Sequence, residues 1–171
     1  MHAVDVVTLG IDPGTANTGY GVVAQARGRL VALDGGVITT SPRAAMADRL
    51  LEIHTRVGEL IADHRPDAVA LESVYFGANA QSAFGVGQAR GVVMLAARQA
   101  GLPCEDYTPQ QVKGAVCGVG RADKAQVQRM VQTLLALAEL PRPDHAADAL
   151  AVAICHANAA PMRAAMAGAV L

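Results

Sequence analysis

Three carboxylates interrupt apolar stretches of this sequence. Asp12 closes Val6-Val7-Thr8-Leu9-Gly10-Ile11, Glu72 closes Ala68-Val69-Ala70-Leu71, and Asp148 stands between Ala146-Ala147 and Ala149-Leu150-Ala151-Val152. An ionised carboxylate in such surroundings is costly unless it is paired, binds a metal or faces a cleft. Each has an ordinary alternative: Asp12 could cap the turn that follows it, and Glu72 could be a surface residue at a strand edge. Asp148 is the hardest to explain that way, because its helix otherwise reads as packed on the core. His145 and Asp144 precede it by three and four residues and share its helix face. Taken alone, His145 reads as a surface residue at a helix start, but beside Asp148 it reads as a ligand.

Hard cations such as magnesium take oxygen ligands at ~2.0–2.1 Å, typically a few carboxylates completed by water and substrate phosphate. Asp12, Glu72 and Asp148 could supply that set. Two such ions about 4 Å apart activate water on one side of a phosphorus and stabilise the leaving oxygen on the other. The chemistry expected of these residues is therefore phosphodiester hydrolysis.

Two further groups accompany the carboxylates. Only five aromatic residues occur, and Tyr75, Phe76 and Phe84 follow Glu72 closely, among glycines and amides. Rings beside a phosphate-cutting centre suit stacking on unpaired bases. Phe84, on the helical side, is the ring expected to pack beneath the loop. The two lysines, Lys113 and Lys124, flank Gly118-Val119-Gly120, where ammonium groups and accessible backbone N–H groups could grip a phosphate backbone.

The elements that must position these residues can be read from periodicity and turn signals. Strands are expected over residues 4–11, 20–25, 30–40, 67–72 and 103–107, with Arg27-Gly28-Arg29 as a hairpin turn. Helices are expected over 44–64, 83–99, 108–116, 123–137 and 144–159. Asp144, after Pro141-Arg142-Pro143, is expected as the cap of the last helix. Three strands in a row, then alternating helix and strand, indicate an α/β fold with a five-stranded mixed sheet and helices on both faces.

At 171 residues the chain is suited to a single domain, expected over 1–158, with an alanine-rich tail at 159–171 expected to be loose or to contact a partner. The N-terminal residues show no export signal and no apolar run approaches a membrane span, so a cytoplasmic protein without membrane association is expected. Cys104, Cys117 and Cys155 are odd in number and widely spaced, which indicates neither a disulfide framework nor a zinc site. A net charge of −1 argues at first against a nucleic-acid partner. Yet residues 1–72 sum to −3 and residues 73–138 to +3, and carboxylates that hold divalent ions cease to act as negative charge.

Leu9-Gly10-Ile11-Asp12-Pro13-Gly14, Leu71-Glu72-Ser73-Val74-Tyr75-Phe76, Gly87-Gln88-Ala89-Arg90-Gly91, Gln111-Val112-Lys113 and Asp144-His145-Ala146-Ala147-Asp148-Ala149-Leu150, in that order and spacing, resemble the RuvC family of bacterial Holliday junction resolvases. The resemblance covers residues 5–158. It implies a ribonuclease-H-like fold and a homodimer that nicks opposite strands of a four-way DNA junction symmetrically. By matching position it implies metal-binding catalytic roles for Asp12, Glu72, His145 and Asp148, and DNA contacts for Lys113, Lys124 and Arg90. Tyr75 takes the place of a stacking phenylalanine, with Phe76 beside it. Magnesium or manganese, two ions per site, and a branch-migration helicase partner are also implied. Competing readings are a sugar-kinase or actin-like ATPase, for which the chain is too short, an RNA-processing nuclease of the same fold, and a junction-binding protein without catalysis.

Overall fold

Alternation along the first strand sets the whole arrangement. In β1 (Val6–Asp12) Leu9 and Ile11 point to one face of the sheet, and Thr8, Gly10 and Asp12 to the other. The computed structural model describes residues 6–73 and 80–168. β1 pairs antiparallel with β2 (Asn17–Ala26), and β2 pairs antiparallel with β3 (Arg29–Thr39). The β2–β3 connection is the two-residue turn Arg27-Gly28, both at positive φ, the backbone that matches the twist of a hairpin. β4 (Ala68–Glu72) and β5 (Cys104–Tyr107) are added parallel on the other side of β1, giving the order β3-β2-β1-β4-β5. This is the expected five-stranded mixed sheet.

Helices cover both faces. α1 (Met46–His64) and α2 (Ala80–Gln99) make the crossovers into β4 and β5. Their Ile53, Val57, Leu60, Ala89, Val93 and Ala97 pack on Leu9, Ile11, Val22, Val69 and Leu71. The opposite face carries α3 (Pro109–Cys117), α4 (Lys124–Leu134) and α5 (Asp144–Gly168), with Val112, Val116, Val127, Val131, Leu150 and Ile154 packed around Val23 and Ala70. None of the three cysteines forms a disulfide, and Cys155 is buried.

Four expectations need correction. α4 stops at Leu134, short of residue 137, because the chain turns there through Ala136 at positive φ. Asp144 is the first residue of α5 rather than its cap; its carboxylate is taken by the side chains of Gln128 and Lys124. α5 runs past residue 159 to Gly168 despite Pro161, so the helix end expected at 159 lies further along the chain. Phe84 is 70% exposed rather than packed beneath a loop. The buried face of α2 is the one bearing Ala89, Val93, Ala96 and Ala97, and Phe84 stands off it.

Candidate active site

Register brings the first two carboxylates together. The parallel pairing of β1 with β4 runs through Gly10↔Ala70 and Ile11↔Leu71, so the next position aligns Asp12 with Glu72 at the C-terminal ends of neighbouring strands. Ala70 belongs to the core under α5, whereas Val69 and Leu71 belong to the other. Asp12 and Glu72 thus both face α5, at the strand ends where α/β sheets hold ligands.

α5 can reach them because three strand positions lack a side chain. A Cβ on Gly10 would collide with the backbone of Ala149 and Ala153, and one on Gly19 with the carbonyl of His145. On Gly21 it would lie 2.7 Å from the Leu150 side chain. Glycine inside a strand marks such close approach of another backbone. Gly19 pairs with Asp12 and Gly21 with Gly10, so the first turns of α5 are seated directly over Asp12. His145 Nδ1 consequently lies 2.8 Å from Asp12 Oδ2, and Asp148 hangs one turn further along.

α3 and α4 close the remaining side. Each begins with a reciprocal capping box, Thr108 with Gln111 and Asp123 with Gln126. These caps fix where Lys113 and Lys124 emerge. Lys124 Nζ stands 3.2 Å from Asp144 and 3.6 Å from Asp148. Glu72, Lys113, Lys124 and Asp148 line one cavity of about 220 Å³, floored by Val112, Val127 and Ala151. A second, more open groove of about 520 Å³ begins at Asp144 and His145 and runs past Gln128 and Arg142.

The electrostatics record the crowding. Burial, and then the charges of Asp12 and Asp148, push the Glu72 carboxyl up to about 7, although Lys113 and Lys124 pull the other way. Burial raises Asp148 as well, opposed by Lys124 and assisted by Asp12. Burial pulls Lys124 down, but Asp148 and Asp144 outweigh it and hold its ammonium above the usual value. Three acids from three elements share a space too small for three unshielded negative charges.

The structure therefore brings Asp12, Glu72, His145, Asp148, Lys113 and Lys124 together. It treats Arg90 differently: its guanidinium donates to the Glu72 carbonyl at 2.9 Å and to Asp106 at 2.8 Å. Tyr75 and Phe76 lie outside the described residues. The seating glycines were missed by reading motifs alone, though Gly10, Gly19 and Gly21 inside valine-rich strands are the signal that could have exposed them. Among the described residues no helix is long and apolar enough to cross a membrane.

The chain is similar to known proteins in both sequence and fold. The family profile described as crossover junction endodeoxyribonuclease RuvC matches residues 8–156. A curated relative of that name from Pelotomaculum thermopropionicum is 53% identical over 153 residues, covering 90% of this chain and 93% of its own. The structure of Thermus thermophilus RuvC in complex with Holliday junction substrate superposes with a TM-score of 0.88 at 45% identity, covering 92% of this chain and 96% of that one. The yeast mitochondrial Holliday junction resolvase, at 14% identity and a TM-score of 0.63, shares the fold. With its ribonuclease-H-like sheet, its carboxylates at the strand ends and a family match across most of its length, this chain belongs to the RuvC family of crossover junction endodeoxyribonucleases.

Proposed function

We propose that this cleft resolves four-way DNA junctions by metal-dependent hydrolysis of one phosphodiester in each of two opposed strands, with Asp12, Glu72, Asp148 and His145 holding magnesium or manganese ions, two per site. The observation that carries this reading is the convergence of Asp12, Glu72 and Asp148, with Glu72 pushed up to about 7 by burial and by its two acidic neighbours. Such a cluster is relieved by a cation. The donor set fits a hard ion, being carboxylate oxygens with one imidazole. Among the described residues no three acidic, histidine or cysteine side chains close tightly enough to enclose an ion unaided. Magnesium does not require that, because it keeps several waters and completes its shell with substrate phosphate.

The bound ions would polarise the phosphate and supply an activated water. The chain's own groups do the rest. Asp12 holds the His145 ring in one orientation through its Nδ1 contact. Lys113 and Lys124 place ammonium groups on the wall facing Glu72 and Asp148, where they would hold the strand's phosphates. Tyr75 or Phe76, three and four residues after Glu72, would stack on a base unpaired at the branch point.

Symmetric nicks need two such sites related by a two-fold axis, as in a homodimer. In support, α2 carries an exposed face made of Phe84, Met94 and Leu95, and among the described residues none comes within 4 Å of where a Cβ on Gly87 or Gly91 would stand. These five residues fall on one side of the helix. A branch-migration helicase partner and a cytoplasmic location go with the same reading.

The test is to incubate the protein with a mobile four-way junction, a matched duplex and a single-stranded RNA, with and without magnesium. Paired symmetric nicks in the junction alone, dependent on the metal, are expected. Junction binding without cleavage would overturn the enzymatic reading, and preferential RNA cleavage would overturn the substrate.

A further inference from the structure

Arg90 is the polar group that the nuclease reading leaves without a role inside the cleft. It lies on α2 between the buried Ala89 and the exposed Gly91, its side chain 17% exposed. Nη1 donates to the backbone carbonyl of Glu72 at 2.9 Å, and Nη2 to Asp106 Oδ1 at 2.8 Å.

The backbone pattern explains why Glu72 needs it. Val69 N–H donates to Pro103 O at 3.0 Å and Ser73 N–H to Tyr107 O at 2.7 Å. The odd-numbered residues of β4 are thereby turned toward β5, and the even-numbered ones toward β1. The carbonyl of Glu72 faces β1. Continuing the register past Ile11↔Leu71, the donor due to it is the nitrogen of residue 13. That residue is Pro13, which has no N–H.

The same turn approaches α2 elsewhere, since a Cβ on Gly85 would stand 3.5 Å from the Thr15 side chain. Arg90 thus replaces a ladder bond that proline removes, at the residue where the chain leaves the sheet. Its second bond, to Asp106 on β5, ties α2 to both strand ends.

We infer that Arg90 is a positioning residue for the metal site: by gripping the Glu72 carbonyl and Asp106 it fixes the peptide that carries the Glu72 carboxylate, and it does not grip DNA. This rests on the nuclease reading of the cleft. Partners that orient a ligand from behind typically contribute tenfold to a hundredfold in metal affinity or activity.

Arg90→Gln should therefore weaken manganese binding to the protein alone, read by calorimetry, by about tenfold. It should raise the magnesium concentration needed for half-maximal cutting by a similar factor. Junction affinity measured without metal should stay within about twofold of wild type, with an unchanged salt dependence, because no phosphate contact is lost. Asp106→Asn leaves the arginine in place and should shift manganese affinity in the same direction by less, which guards against a fold lost in the first variant.

The outcome that overturns the inference is weaker metal-free junction binding in Arg90→Gln, with a salt slope shallower by about one ion, at wild-type manganese affinity. That pattern would make Arg90 a phosphate contact. Failure of the nuclease reading is a different result, namely a wild-type protein that cuts no junction at any metal concentration.

Discussion

On one face of the sheet α1 and α2 lay Ile53, Val57, Leu60 and Val93 against Leu9, Ile11, Val69 and Leu71, a core of branched side chains several atoms deep. On the other face, over β1 and β2, α5 brings its own backbone and an alanine against Gly10 and Gly19, and the Leu150 side chain into the space left at Gly21. The first face gains stability from apolar area removed from water. The second gives up bulk for proximity. That exchange is what lets His145 reach Asp12 and sets Asp148 over the strand ends, since side chains on a helix held one layer higher would not meet carboxylates on the strands. Both faces bury apolar side chains, but only the packing of α5 also decides whether the acids meet.

The largest effect expected on cutting comes from the acids themselves. Asp12→Asn or Asp148→Asn keeps the side chain's shape and removes a negative ligand, so junction nicking should vanish while junction binding by gel shift persists. Normal cutting by either variant would refute the metal assignment.

Next comes the seat of α5. Gly19→Ala puts a methyl group into the His145 carbonyl, a backbone atom that cannot swing aside. Overpacking of this kind costs ~1–3 kcal/mol, and the first turn of α5 must shift to relieve it. Denaturant titration should show that loss, and cutting per folded molecule should fall sharply. Ile53→Ala is the matched control on the other face, costing about 3 kcal/mol through the cavity it leaves. Its folded molecules should cut at the wild-type rate. If both variants lose stability and neither loses activity when folded, the contrast between the two faces fails.

The smallest effect is one of pH. Folded Glu72 holds its proton up to about 7, against an ordinary value of 4.5. Between those two values the folded chain binds an extra proton at Glu72, so the contribution of this group to metal-free stability is fullest below pH 4.5 and is lost as pH rises through 7. In chelator, Glu72→Gln should flatten that fall and melt higher than wild type at pH 8, on the order of 4 °C. Magnesium, which needs the carboxylate, should be required at higher concentration as pH drops below 7. Parallel melting curves for the two proteins across pH 5 to 8 would show that the crowding does not act on Glu72.

Much of this site could be read before any coordinates. A carboxylate inside an apolar stretch is a local anomaly, visible within a window of ten residues, and Asp12, Glu72 and Asp148 each announce themselves that way. Strand and helix boundaries followed from equally local signals and missed by a few residues at the ends of β2, α2 and α4, and by more at the end of α5, where Pro161 read as a stop that the helix passes. Phe84 was misjudged because apolar residues are distributed around α2, so its periodicity did not say which side meets the sheet. The role of Arg90 was out of reach for another reason: it joins a proline at 13, a carbonyl at 72 and a carboxylate at 106.

The sequence by itself therefore determined which residues carry the chemistry and the alternation that puts Asp12 and Glu72 on the strand ends, because each depends on neighbours along the chain. Only the tertiary structure decided that these residues share one cleft. Parallel register sets Asp12 beside Glu72, the gaps left by three glycines admit α5, and a missing proline N–H gives Arg90 its partner, all through contacts between segments that meet only when the sheet is assembled.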